Sequence, residues 1–306
     1  MTYSVVFSFN LLSDLQEMWS YQFMQHAFEA GTMIAVIAGV TGYFVVLRRS
    51  AFTAHAFSEM GFAGAAGAVL LAGGLLGEYA PIVGLLLGST TGGLAIAALA
   101  RRATNRDTQV GIVLAFTLGL GLLFIRLYPA YATEAYSILF GQILGVSINQ
   151  VLLTLVASVV ILSTVAVVYR PLLFASLDED VAEAKGMPIL FLGTVFMLLV
   201  AVSVSFAVQV TGVLLIFSLM VTPAATAQYL ARRPQRAIII SVAISLLATW
   251  VGLFLAYYSL YVPVSFFITA IVFALYLLVR LLHQRTTWGR ASSVKVGGEG
   301  VDKRNG

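Results

Sequence analysis

His55 and Glu59 are the residues of this chain best equipped for chemistry, four apart in RRSAFTAHAFSEMGFAG, 48–64. On a helix that spacing puts both on one face. Imidazole and carboxylate are the ligand types that suit a divalent transition metal when thiolate is missing, and the chain has no cysteine. Two other readings fit the same pair: a His–Glu hydrogen bond tying two helices together, and an interfacial pair just past Arg48 and Arg49. So close to those arginines, the pair reaches the interior only if 50–58 dips into the bundle as interrupted helix, tolerated where backbone lines a cavity. The other histidines offer less. His26 opens an apolar stretch beside Gln25 and near Glu29, an interfacial position, and His283 stands among tail charges.

Several other chemistries are excluded. Without cysteine there are no disulfides, thiolate metal sites or cysteine nucleophiles. There is no HExxH of a zinc protease and no GxxxxGK[ST] phosphate loop, so any ATP drive comes from a partner. No constellation marks the chain as an enzyme.

What must position the pair is a membrane bundle. The 306 residues are 60% hydrophobic and 10% charged, with a mean hydropathy of +0.98. A soluble domain is nearer a quarter charged, so lipid is the solvent that fits. Runs of the ~20 apolar residues needed to cross a bilayer lie near 27–47, 55–77, 81–101, 109–127, 149–169, 188–208, 211–231, 236–257 and 263–282. The piece TEAYSILFGQILGVS, 133–147, is too short to span and reads as a half-helix. The fold class is an all-α polytopic membrane protein of about nine transmembrane helices plus a half-helix. The start of the chain carries Asp14 and Glu17 and no basic region, so it does not read as a cleaved signal peptide. Residues 1–26 form an extracytoplasmic segment, 27–283 the transmembrane domain and 284–306 a disordered basic tail.

Charge orients the bundle. Of the 17 Lys and Arg residues, all but Arg126 fall on one side if the N-terminus is outside: Arg48, Arg49, Arg101, Arg102, Arg106, Arg170, Lys185, Arg232, Arg233, Arg236, Arg280 and those of the tail. Positive charge stays in the cytoplasm, so the N-terminus is out and the C-terminus in. The outer loops are short and mildly acidic, with Glu78 and Glu134.

Small residues mark packing seams: GFAGAAGA at 61–68, and Gly84, Gly88 and Gly92 at intervals of four. Pro223, inside SLMVTPAATAQ, predicts a kink or break, with Ser218, Thr222 and Thr226 placed to satisfy freed backbone groups. The segment FASLDEDVAEAKGMP, 174–188, has the pattern of a short capped helix: acids at its start, Lys185 at its end, then Gly186 and Pro188 as stop signals. It reads equally as a docking element and as an ordinary connection.

GYFVVLRRSAFTAHAFSEMGFAGAA (42–66), ILFGQILGVS (138–147), LDEDVAEAKGMP (177–188) and TGVLLIFSLMVTPAATAQYLA (211–231) together resemble the permease subunit of the manganese/zinc/iron ABC importer family, over roughly 27–283. The resemblance implies a fold similar to the vitamin B12 and siderophore importers, in the inner (plasma) membrane of a prokaryote. It implies a homodimer with two cytoplasmic ATPase subunits and an extracytoplasmic metal-binding protein, carrying zinc, manganese or iron by alternating access. Segment 177–188 is then the helix that couples to the ATPase, through Asp178, Glu179, Val181, Ala182, Lys185 and Gly186. Family members carry an aspartate and then a histidine where this chain has His55 and Glu59. The ligand chemistry survives with its order exchanged, and two copies across a dimer axis offer two imidazoles and two carboxylates. The rival reading is an ion-coupled secondary transporter acting alone. That needs ion sites in several helices, whereas Glu59 is the one acid deep within a span, Glu29 standing at the edge of the first.

Overall fold

The computed structural model describes residues 11–100, 106–129, 132–259 and 262–298. Residues 1–10, Arg101, Arg102, Lys303 and Arg304 lie outside the described residues. Eight apolar helical stretches among the described residues are long enough to cross a membrane. One of them, Ala51–Ile96, has 46 residues, about twice what a bilayer needs. It is two helices, α3 (Ala51–Leu76) and α4 (Ala80–Ala100), joined through a short 3-10 turn at Gly77–Tyr79. Counting both gives nine crossings.

The hairpin of α3 and α4 is built on glycine. Gly88 faces Gly64 and Met60, Gly84 faces Gly64 and Ala65, and Gly92 faces Met60. The two seams legible in the sequence are therefore the two sides of one antiparallel contact. A methyl group on Gly64 would stand 2.7 Å from the Gly88 Cα. Only a residue without Cβ allows that approach.

A short helix α1 (Leu11–Ser20) leads into the central helix α2 (Gln22–Leu47). Two-thirds of the apolar window of α2 is buried. It is clasped by α11 (Pro234–Tyr258) and α10 (Val213–Leu230). Gly39 abuts the Val242 backbone, Gly31 abuts Thr249, and Gly42 lies on the Met220 carbonyl. On the far side of α3, helix α5 (Arg106–Leu127) seats Phe124 on Gly67 and Gly121 on Ala63.

The predicted half-helix is α6 (Ala132–Phe140), followed by a 3-10 turn at Ile143–Gly145. Gly141, with φ +82°, packs its backbone on Thr211 and Gly212, where φ is +84°. Gly212 is the single residue between α9 (Ile189–Thr211) and α10. These positive φ values and the backbone contact both demand glycine. Helix α7 (Ile148–Leu177) opens on a reciprocal cap between Ser147 and Gln150 and runs on through Pro171. It ends eight residues beyond the predicted span, because Arg170 and Pro171 close the apolar run without ending the helix.

Helix α10 runs without a break through Pro223. Proline lacks the N–H that would have bonded the Leu219 carbonyl. Ser245 of α11 donates to that carbonyl instead, at 3.4 Å. Thr226 donates to Thr222 within the helix. Relief at Pro223 therefore comes across a helix interface, which a local reading of SLMVTPAATAQ does not reveal. The last helix, α12 (Val264–Gly298), continues past the apolar stretch into 284–298, for which composition leads to an expectation of disorder. No proline interrupts that stretch.

Candidate functional site

Arg49 ends α2 in the left-handed region, with φ +52°. Its N–H bonds the Val46 carbonyl and the Ser50 N–H bonds the Val45 carbonyl. That is a Schellman turn with arginine where glycine is usual. It reverses the chain so tightly that α3 begins at Ala51. With 1.5 Å per residue, His55 lies about 6 Å and Glu59 about 12 Å along the helix. The pair therefore reaches the interior on unbroken helix, and the interruption of 50–58 that its depth demands of the sequence is not needed. The helix starts four residues before the predicted span.

Glu59 is 8% exposed and His55 is half-buried. The His55 ring meets Phe217 of α10 edge-on, with centroids 5.2 Å apart. Nδ1 of His55 and Oε2 of Glu59 are both buried without a hydrogen-bond partner. A mutual hydrogen bond through those atoms is thus not what holds them. Buried polar atoms are nearly always paired, so two orphans on one helix face ask for a ligand.

The opposite face of α3 is pinned. Phe57 lies about 180° around the helix from the pair. Its carbonyl accepts from Ser89 of α4 at 2.9 Å. Ser205 of α9 donates to Ser89 and to the Leu85 carbonyl, each at 3.1 Å. The buried serines and the glycine seam hold the back of α3, while His55 and Glu59 face away from it. No third His, Cys, Asp or Glu joins the pair among the described residues. One chain supplies two protein donors, short of the four of a closed tetrahedral site.

The second candidate element is α8 (Glu179–Ala184). Asp178 caps it, accepting from the Val181 N–H at 3.0 Å, and Gly186, with φ +76°, ends it. Asp178, Glu179, Val181, Lys185 and Gly186 are exposed. Ala182 is the exception: fully buried, it anchors α8 on Ala175 and Leu192 and cannot itself face a partner. Lys185 extends over the Phe174 ring at 5.0 Å. Pro223 lies buried in α10, six residues beyond the Phe217 that meets His55.

A search limited to charged residues passes over Gln209 of α9, whose Oε1 is also buried and unpaired. The available signal was a lone amide in the apolar run AVSVSFAVQVTG. His26 is half-buried near the start of α2, and His283 is exposed, its ring 5.6 Å from that of Tyr229.

The manganese transport system membrane protein MntC of Listeria monocytogenes is 30% identical over 249 residues, 79% of this chain and 85% of that one. The high-affinity zinc uptake system membrane protein ZnuB of Buchnera aphidicola is 27% identical over 256 residues, 83% of this chain and 96% of that one. In three dimensions the chain is similar to PsaBC from Streptococcus pneumoniae, solved in complex with Fab. The TM-score is 0.78 at 27% identity, over 87% of this chain and 94% of that one. The family match runs from residue 20, just before α2, to residue 283 in α12, and so takes in every helix that positions His55, Glu59 and α8: the chain belongs to the ABC 3 transport family.

Proposed function

We propose that the chain is the membrane-spanning subunit of an ATP-driven importer of manganese or zinc, and that the metal passes His55 and Glu59 at the interface of two copies. The observation that carries this is the pair of buried, unpartnered donor atoms on the unpinned face of α3. Two donors per chain, with no third joining them among the described residues, fit a site completed by symmetry, with two imidazoles and two carboxylates. Manganese would add oxygen ligands, water included. A site that must release its cargo binds it modestly, which an open set of four donors allows.

The chain is not itself the ATPase. Two cytoplasmic ATPase subunits dock on α8, and an extracytoplasmic binding protein delivers the metal at the opposite end. The subunit sits in a bacterial plasma membrane with its N-terminus outside and its C-terminus inside. Closure of the ATPase pair moves α8, which is tied through α7 and α9 to the bundle, and access to the metal site alternates.

The test is metal uptake into proteoliposomes holding this chain, its ATPase and its binding protein, with zinc and manganese compared with and without ATP. ATP-dependent uptake of one metal is the expected result. Uptake that ignores ATP and follows a proton gradient overturns the reading in favour of a secondary transporter. A smaller prediction concerns α8. Asp178→Ala removes its side-chain cap, worth about 1 kcal/mol, so the equilibrium constant for ordering the docking helix falls roughly fivefold. ATP hydrolysis by the complex should persist while uptake per ATP falls severalfold, read by measuring both in one vesicle preparation.

A further inference from the structure

The α8 end of the bundle holds a recess whose lining does not include His55 or Glu59. A cavity of about 370 Å³ opens between the α2–α3 turn, the end of α7, α8 and the start of α9. Arg48 and Arg49 line it together with Ser50, Glu179, Gly193 and Phe196. Arg48 lies over the Phe196 ring at 4.9 Å, which fixes the height of its guanidinium against the cavity wall. Arg49 is the residue held at φ +52°, a conformation that non-glycine residues rarely adopt. Glycine would make this turn without strain, and an arginine there places a second cation at the cavity instead. The two arginines and Glu179 leave the lining with one net positive charge. Leu190 of the lining, and Leu177 and Phe191 next in the chain to the lining residues Ser176 and Leu190, are each more than 60% exposed. The cavity thus combines a cationic recess with an apolar apron at the end of a transmembrane bundle.

We infer that this cavity binds the phosphodiester headgroup of an anionic phospholipid, with the acyl chains lying along Leu177, Leu190 and Phe191. Basic pockets between transmembrane helices on the cytoplasmic side are suited to anionic headgroups. Two guanidinium groups in one recess suit the oxygens of a phosphodiester. The headgroup bridges the turn that launches α3 and the segment that carries α8, so its occupancy stiffens the link between the two.

The test is a thermal melt of the permease–ATPase complex in nanodiscs of phosphatidylcholine, with and without phosphatidylglycerol, and native mass spectrometry of the lipid retained. Phosphatidylglycerol should raise the melting temperature and remain bound. Arg48→Gln with Arg49→Gln should lower retention roughly 30-fold, about fivefold for each arginine. Because Arg48 also packs on Phe196, a second variant leaves both arginines in place. A Cβ on Gly193 meets nothing within 4 Å, so Gly193→Phe fills the cavity without a backbone clash and should abolish both retention and the shift. A shift by phosphatidylglycerol that survives in Gly193→Phe overturns the inference. So does an equal shift produced by inorganic phosphate in phosphatidylcholine alone, which would make the ligand a free anion. Retention of phosphatidylglycerol only when the ATPase is absent would assign the cavity to the ATPase and also overturn it. None of these readouts depends on metal transport, so failure here leaves the His55/Glu59 proposal standing.

Discussion

Replacing His55 and Glu59 together with alanine should abolish ATP-driven metal uptake, lowering it at least ~100-fold, while the complex with its ATPase still assembles. Loss of even an outer-sphere partner of a metal ligand costs 10–100-fold, so loss of both donors in both copies lies at or beyond the upper end. The sign of the stability change separates a metal site from a structural pair. Glu59 is buried and its Oε2 is unpaired, so the carboxylate costs the metal-free protein free energy. Removing it should leave the melting temperature of the metal-free protein unchanged or raised. A pair that tied helices together would give the reverse, a lower melting temperature with uptake reduced only in proportion. A second variant sharpens the point. His55→Asp with Glu59→His exchanges the order of the two ligand types along α3 and should keep transport while shifting the preference between zinc and manganese. Loss of uptake in that variant, with assembly intact, would show that the donors are held in positions that cannot be exchanged.

Much of this was legible in the residues, and what was not has physical reasons. Hydropathy counts apolar length, so the nine crossings and the half-helix α6 stood out. Hydropathy does not report where helix begins outside lipid, so the starts of α3 and the end of α7 were displaced. The depth of His55 and Glu59 depended on one turn. A left-handed conformation is expected of glycine, and nothing in the dipeptide Arg48–Arg49 advertises it. Pairing across helices was equally hidden. Ser245 serves the carbonyl freed by Pro223, and Gly141 of ILFGQILGVS meets Gly212 of TGVLL, though each pair is far apart in the chain. Glycine spacing announced that seams exist, but not that 61–68 and 84–92 are halves of the same one. Ala182 shows the converse limit: a six-residue helix has too little periodicity to tell its anchoring side from its exposed side.

That seam sets the other large effect. Gly64→Leu should prevent the α3–α4 hairpin from closing and remove the protein from the membrane fraction. Gly64→Ala should cost about 3 kcal/mol or more, at the upper end for overpacking. The atoms in the way are the Gly84 carbonyl and the Gly88 Cα and nitrogen, the last two 2.7 and 2.9 Å from the new Cβ. They are backbone atoms of a helix, so no rotamer change can make room, and α4 must move away bodily. Displacing α4 also pulls Ser89 from the Phe57 carbonyl and breaks its contact with Ser205, so the back of α3 is freed at both its supports. Any Gly64→Ala protein that does assemble should therefore bind metal less tightly, though it keeps both donors. Gly74 in the same helix provides the control, since a Cβ there meets nothing within 4 Å. Gly74→Ala should leave stability unchanged or add about 0.5–1 kcal/mol through helix propensity. Thermal unfolding of both variants in one detergent decides the matter: equal losses would mean that glycine content and not the α3–α4 contact governs stability. A loss confined to Gly64 would show that the approach of two backbones holds the His55/Glu59 face of α3 in place.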